Sequence, residues 1–273
     1  MTCSLRLETL NIWGGRLYHP LLEHIRRQAG NVDIFCFQEV YSTHSDRLST
    51  RDAWIPAPLR LPTHDLPERA TIYQELLDVL PEFYGYFSSC QDRYAYHGPV
   101  DFDLSYGLAI FVRKTLHPDA VGEHFVHRQR NSVVGRDNAT IGRNLQYIQF
   151  HFAAKPFTVV NVHGLWNGKG KTDSPERIEQ SRKTKVFLET VSGAKILCGD
   201  LNVLPNTQSL ALLEESMCNL IKAYGITSTR SQLYEQPDRF ADYVLTSSEV
   251  QVKHLQVLDE AISDHLPLLL VFQ

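Results

Sequence analysis

Eight stretches read as strands, from alternating side chains or from short unbroken apolar runs. They are LRLETLNI from Leu5, VDIFCFQEV from Val32, YGLAIFVRK from Tyr106, LQYIQFHFA from Leu145, PFTVVNVHG from Pro156, AKILCGDLN from Ala194, FADYVLTS from Phe240 and PLLLVFQ from Pro267. Helical spacing marks four others: YHPLLEHIRRQAG, TIYQELLDVLPEF, SPERIEQSRKTKVFLETVSG and NTQSLALLEES. Several strands follow one another without room for a crossover helix, so a mixed α/β (α+β) chain with mostly antiparallel pairing is expected. Asp173-Ser174-Pro175-Glu176 supplies a cap, a first-turn proline and an acidic residue for a helix start, a structural role. Residues 44–69 carry Pro56, Pro58, Pro62 and Pro67 and read as an irregular excursion of the kind that shapes a substrate rim. Neither repeat, linker nor composition shift divides the chain, which points to one domain over residues 1–273.

Composition narrows the classes. A hydrophobic share of 43% over 273 residues supports a substantial core, and a net charge of −4 leaves no global basic field to draw the chain to nucleic acid, although a local basic rim is compatible with it. The amino terminus alternates like a strand and shows no export segment. The longest apolar run, LPLLLVF, is far shorter than the ~20 residues of a membrane span. Cys3, Cys36, Cys90, Cys198 and Cys218 are odd in number, form no CxxC pair and mostly sit in apolar runs, as buried reduced thiols of a cytoplasmic protein do.

Polar residues recur where apolar strands stop: Asn11, Glu39, Asn161 with His163, Asp200 with Asn202, Asp242, and Asp264 with His265. A lone acid at a strand end is ordinarily a solvated one. Six such ends converge on one rim if the strands lie in register. The residue types also form a chemical set. Glu39, Asp200 and Asp264 offer the hard oxygens that Mg²⁺ prefers. His163 and His265 are groups that move protons near neutral pH. Asn11 and Asn202 hold ligands without repelling phosphate. Zinc suits the set poorly, because the cysteines lack spacing and the two histidines share no helix.

With those pieces in this order (TLNIWGG, DIFCFQEV, YGLAIFVRK, NVHGLW, CGDLN, FADYVL, SDHLPLLLVF), the chain resembles the endonuclease/exonuclease/phosphatase superfamily of Mg²⁺-dependent phosphoesterases from residue 5 to 272. The resemblance implies a four-layered αββα sandwich with two central mixed, mostly antiparallel sheets and the site at one edge. It implies that Glu39 binds Mg²⁺ (Mn²⁺ being a possible substitute), with Asn11 assisting and Asp264 near the metal. Asp200 would orient or activate the attacking water, and Asn202 would hold the nucleophile and a phosphate oxygen. His265 would act as base or phosphate stabiliser, with Asp242 orienting its ring. His163 stands where abasic-site endonucleases commonly have tyrosine, and where pancreatic-type deoxyribonucleases, sphingomyelinases and tyrosyl-DNA phosphodiesterases have histidine; abasic-site repair is therefore disfavoured.

The expected activity is hydrolysis of a phosphodiester of DNA, RNA or a nucleotide by activated water. A sphingomyelinase-like or inositol phosphate hydrolase is the alternative, and a catalytically silent binding module on the same fold the second. Trp166, Lys169 and Lys171, in the loop GLWNGKGKTD, and Arg143 are the candidate substrate contacts, through stacking and phosphate pairing. No protein partner is implied.

Overall fold

The computed structural model describes residues 4–44, 54–55, 66–95 and 98–273. In chain order, β1 (Leu5–Asn11) leads through α1 (Tyr18–Gln28) to β2 (Ile34–Ser42), and α2 (Ile72–Val79) leads to β3 (Phe83–Asp92). Two short strands, β4 (Tyr94–Ala95) and β5 (Gly98–Pro99), pair ahead of β6 (Ser105–Arg113), β7 (Ala120–His127), β8 (Arg143–Phe152) and β9 (Lys155–His163). The remainder is α3 (Pro175–Thr190), β10 (Ala194–Asp200), α4 (Gln208–Glu214), β11 (Cys218–Asn219), α5 (Leu220–Ala223), β12 (Asp242–Thr246), β13 (Val252–Val257) and β14 (Leu268–Phe272).

Two mixed sheets result, in the orders β13-β14-β1-β2-β6-β3 and β11-β12-β10-β9-β8-β7. Each has one parallel pair at its centre, β1 with β2 and β10 with β9, and antiparallel neighbours outside it. This arrangement explains why so many polar residues meet. The carboxyl ends of β1, β2, β9 and β10 share an edge with the amino ends of β6, β8, β12 and β14.

Period-two alternation divides the core into layers. In β2, Ile34 and Cys36 face the second sheet, while Phe35 and Phe37 face α1 and α2. Both faces are buried, which is why IFCF reads as a continuous apolar run. On the other side, Phe187 and Leu188 of α3 and Leu210 and Leu213 of α4 cover the outer face of the second sheet, completing the αββα order. The cap expected at Ser174 is present: its hydroxyl accepts from Arg177 N at 3.3 Å.

All eight expected strands form, as do the four helices. Three longer strands, β3, β7 and β13, were not legible, and each lies at the border of its sheet. An edge strand packs fewer neighbours, so its alternation is weak. For β3 the helical pattern of TIYQELLDVLPEF also runs past the true helix end at Val79 into Phe83, where the strand begins. Cys36, Cys90 and Cys198 are buried free thiols; Cys218 is also free but exposed, because it sits on the border strand β11. Cys3 lies outside the described residues, as does most of the 44–69 excursion.

One polar cluster ties α1 to the first sheet. His24, fully buried, places Nε2 2.7 Å from Glu8 of β1 and Nδ1 2.9 Å from Glu260, which Arg27 also pairs. These partners hold the imidazole above the ordinary histidine range against the opposing effect of burial, and burial raises the Glu8 carboxyl.

Candidate active site

Strain at two positions aims the site residues. The register of β2 against β6 shifts between Phe37 and Val40, and within this bulge Glu39 adopts φ +57°. Asn202, just past β10, adopts φ +53°. A non-glycine residue in this region costs about 1–3 kcal/mol, tolerated where the surroundings over-determine it. Between them Gly199, at φ +129°, is required by contact: a Cβ there would lie 2.2 Å from the Val162 carbonyl oxygen of β9. Glycine alone lets β9 and β10 close up immediately before Asp200.

Asn11 links the halves. Its Nδ2 donates to Glu39 Oε1 and to Asp200 Oδ2, both at 3.1 Å, while its Oδ1 accepts from Trp13 N at 3.0 Å. Asp200 Oδ1 accepts from Asn202 N at 2.8 Å. His163 Nε2 lies 3.7 Å from Glu39 and 3.8 Å from Asp200, and His265 Nε2 lies 3.6 Å from Asp200 and 3.8 Å from Asp264. Beneath them, deep between the sheets, Gln38 Nε2 donates to Asn161 Oδ1 at 2.7 Å, and Asn161 Nδ2 donates to the carbonyls of Phe37 and Ala109 at 3.0 and 3.3 Å.

The two histidines are set differently. His265 Nδ1 is 2.8 Å from each Asp242 oxygen, so its proton points at Asp242 and Nε2 faces the cleft. Burial lowers this imidazole to about 4, with Arg230 adding to the effect, and burial raises Asp242 to about 6. At His163, Arg143 Nη1 and the Tyr106 hydroxyl approach Nδ1 at 3.3 and 3.4 Å. A guanidinium only donates, so Nδ1 holds the lone pair and the proton sits on Nε2. Burial, then Arg143, keep this imidazole well below the usual range. His163 therefore presents a donor to the cleft.

The carboxylates form a set that a divalent cation fits. Burial, followed by the proximity of Asp264, lifts Glu39 to about 7, with Asp200 adding to the crowding. Hard oxygens crowded this way are relieved by a cation. Asp200, Asp242 and His265 also offer ligand atoms within 4.8 Å of one another, although His265 Nδ1 is already engaged by Asp242.

Nine of the twelve expected residues line a cleft of about 300 Å³, and Asn11, fully buried, Asp242 and Lys169 do not. Trp166, half-buried, and Lys171, fully buried, reach it, as does Arg143. Lys169 stands exposed outside the lining, and Asp242 sits behind His265. Sequence reasoning missed Arg230, whose Nη1 donates to Asp264 Oδ2 at 2.7 Å, and Tyr234, on which Arg230 packs at 4.1 Å. Both come from an irregular segment without periodicity; the only signal was a lone arginine in STRSQLY. Tyr106 was missed because it opens an apolar strand, the end that polarity reads least well.

The fold is shared with proteins of known structure. A search of curated proteins finds no match to the chain. Among solved structures, an endonuclease/exonuclease/phosphatase family protein from Leptotrichia buccalis is 16% identical, with a TM-score of 0.69, covering 98% of this chain and 99% of its own. A mannosyl-6-phosphatase from Bacteroides thetaiotaomicron is 17% identical, with a TM-score of 0.67 over 99% and 100%. The human Nocturnin catalytic domain is 17% identical, with a TM-score of 0.64 over 99% and 93%. At such identities the likeness establishes the fold. The sequence model of the Endonuclease/Exonuclease/phosphatase family matches residues 9–265, the whole stretch that carries the strand-end residues, and the chain belongs to that family.

Proposed function

We propose that this chain is a Mg²⁺-dependent phosphoesterase that hydrolyses its ester by attack of an activated water. The observation that carries the reading is the meeting of both sheets at Asp200 Oδ2, which lies 3.1 Å from Asn11 Nδ2, 3.6 Å from His265 Nε2 and 3.8 Å from His163 Nε2. An acid held between two imidazoles and an amide is placed to orient water.

Glu39 and Asn11, with Asp264 beside them, would hold Mg²⁺, which when bound neutralises charge on the phosphoryl and leaving oxygens. Asp200 orients the water and takes up its proton. Asn202, anchored through Nδ2 to the Gly164 carbonyl at 3.3 Å, orients the nucleophile and a phosphoryl oxygen. His163 donates from Nε2 to a phosphoryl oxygen, and His265, steadied by Asp242, serves as the second proton-handling group. Trp13 and Trp166 border the cleft and supply aromatic surface to its lining.

A nucleotide-sized ester is favoured over a nucleic-acid strand. Arg143, Lys171 and Arg230 are 4%, 1% and 7% exposed, too recessed to track a long backbone across the surface. The deciding experiment is a panel of nucleotides, sugar phosphates, DNA and RNA oligonucleotides, sphingomyelin and inositol phosphates, run with Mg²⁺ and with chelator. Chelator-sensitive turnover that Asp200→Asn abolishes is expected. Absence of turnover on every substrate with Mg²⁺ or Mn²⁺ would leave the silent binding module.

A further inference from the structure

Lys171 is hard to explain as a structural residue. Its side chain is 1% exposed and lines the cleft, yet among the described residues Nζ has no hydrogen-bond partner. The contact Nζ does make is with the ring of Tyr234, at 4.5 Å from the centroid, and the guanidinium of Arg230 occupies the same ring at 4.1 Å. Like charges beside one ring repel. Burial, followed by Arg230, lowers the ammonium to about 8. Arg230 offsets part of its charge through Asp264, but its buried Nε also has no hydrogen-bond partner among the described residues.

The fold nevertheless holds Lys171 firmly in place. Its carbonyl accepts from Leu204 N at 2.9 Å. Arg177, also 1% exposed, donates to the carbonyls of Leu165, Gly170 and Thr172 at 3.2, 2.7 and 2.6 Å and so fixes the loop on both sides of it. Asp200, Asp242 and Asp238 act on this ammonium only at a distance, without a hydrogen bond to it, and a buried cation left so, held by such a scaffold, is a site prepared for an anion.

We infer that Lys171 and Arg230, both packed on the ring of Tyr234, form an anion subsite for the additional ionised oxygen of a terminal phosphate, which makes small phosphomonoesters the favoured substrates. This rests on the hydrolase reading above. A diester carries one negative charge at the reacting phosphate, which the metal side of the cleft already meets. A monoester carries about −1.5 to −2 near neutral pH, and the extra charge matches the ammonium that lacks a hydrogen-bond partner among the described residues. In the reaction the water oxygen forms a bond to phosphorus as the ester P–O bond breaks. The proton given up by water is balanced by one taken up at the leaving oxygen, so an alcohol and inorganic phosphate are released.

The test compares wild type, Lys171→Met and Lys171→Arg on p-nitrophenyl phosphate and bis(p-nitrophenyl) phosphate with saturating Mg²⁺. Metal-free titration with inorganic phosphate, followed by tryptophan fluorescence and thermal shift, provides a readout independent of turnover. Wild type should prefer the monoester. Lys171→Met should lower the monoester-to-diester ratio of kcat/KM on the order of 10- to 100-fold, the range of one lost charge-assisted hydrogen bond, and should lose phosphate binding. Lys171→Arg should recover part of both. A wild-type preference for the diester, equal losses on the two esters, or undiminished phosphate binding in a folded Lys171→Met protein would overturn the subsite while leaving the hydrolase reading standing. Phosphate binding that depends on Lys171 without hydrolysis of either ester would keep the subsite and sink the hydrolase reading.

Discussion

Replacing Gly199 with alanine tests whether close approach of β9 and β10 is what places Asp200. The added Cβ meets two separable penalties. At φ +129° the backbone is one that L side chains rarely adopt, and the Cβ would lie 2.2 Å from the Val162 carbonyl oxygen, a backbone atom that cannot swing aside. Strain contributes about 1–3 kcal/mol, and over-packing a further ~1–3 kcal/mol. The sum, roughly 2–6 kcal/mol, is a large part of the ~5–15 kcal/mol that stabilises a typical protein. At ~2–4 °C per kcal/mol for a chain of about this size, Tm should fall on the order of 5–20 °C. Gly225 is the control: its φ is +62° and a Cβ there meets nothing within 4 Å, so Gly225→Ala should incur only a strain of about 1–2 kcal/mol. The assay is thermal unfolding by circular dichroism alongside kcat/KM. Because β9 and β10 are paired through Gly199↔Val162 and Asp200↔His163, relief by parting the strands moves two proposed catalytic side chains at once. Turnover in Gly199→Ala should therefore fall well below that of the control even where both are fully folded. Equal Tm values for the two variants, or full activity in Gly199→Ala, would refute the reasoning.

Three further outcomes are expected. Glu39→Gln should weaken Mg²⁺ binding in titration calorimetry and lower turnover by more than the roughly 10–100-fold typical of losing a supporting contact. The same variant without metal should unfold no lower than metal-free wild type, since it removes one of three crowded carboxylates; unchanged metal affinity would remove Glu39 from the site. In Arg143→Met, ¹⁵N spectra of His163 should show the Nε2–H tautomer of wild type replaced by a mixture, whereas Arg143→Lys, which also only donates, should keep it; a wild-type proton on Nδ1 would contradict the assignment. Stability should also depend on pH through His24. Its folded pKa is raised, so the contribution is full below the ordinary value near 6.5 and is lost as pH rises through the folded value; the raised Glu8 acts in the same direction. Denaturant midpoints should decline from pH 6 to 8.5, and His24→Gln should flatten that slope; an equal slope in the variant would exclude His24 as its source.

The parts of the fold that were legible in the sequence are those buried on both faces. Strands such as IFCF and KILC announce themselves because neither side tolerates polarity, and their polar terminators then mark the edge where Glu39 and Asp200 meet. Border strands, with fewer neighbours to satisfy, carried little pattern, and β7 and β13 passed unnoticed. Residues that sit in the site from irregular segments were also invisible: Arg230 reaches Asp264 through a stretch with no period, and nothing in STRSQLY announces Tyr234. Lys169 and Lys171 show the same limit at finer scale. Two residues apart in one glycine-rich loop, they look alike in sequence, yet one is solvated and the other is fully buried, a difference made by Arg177 and Leu204.

The hydrogen bond from Gln38 to Asn161 has a mechanical meaning. Apolar sheet faces attract without direction and oppose small sliding only through the interlocking of their side chains, whereas a buried hydrogen bond weakens steeply with misalignment. Glu39 and Asn11 travel with one sheet, Asp200 and His163 with the other, and reacting groups must stay within ~0.5 Å of their working positions. The Gln38–Asn161 pair acts as a dowel driven through both plates directly under the moving parts. It fixes the alignment of the two halves where a slip would matter most.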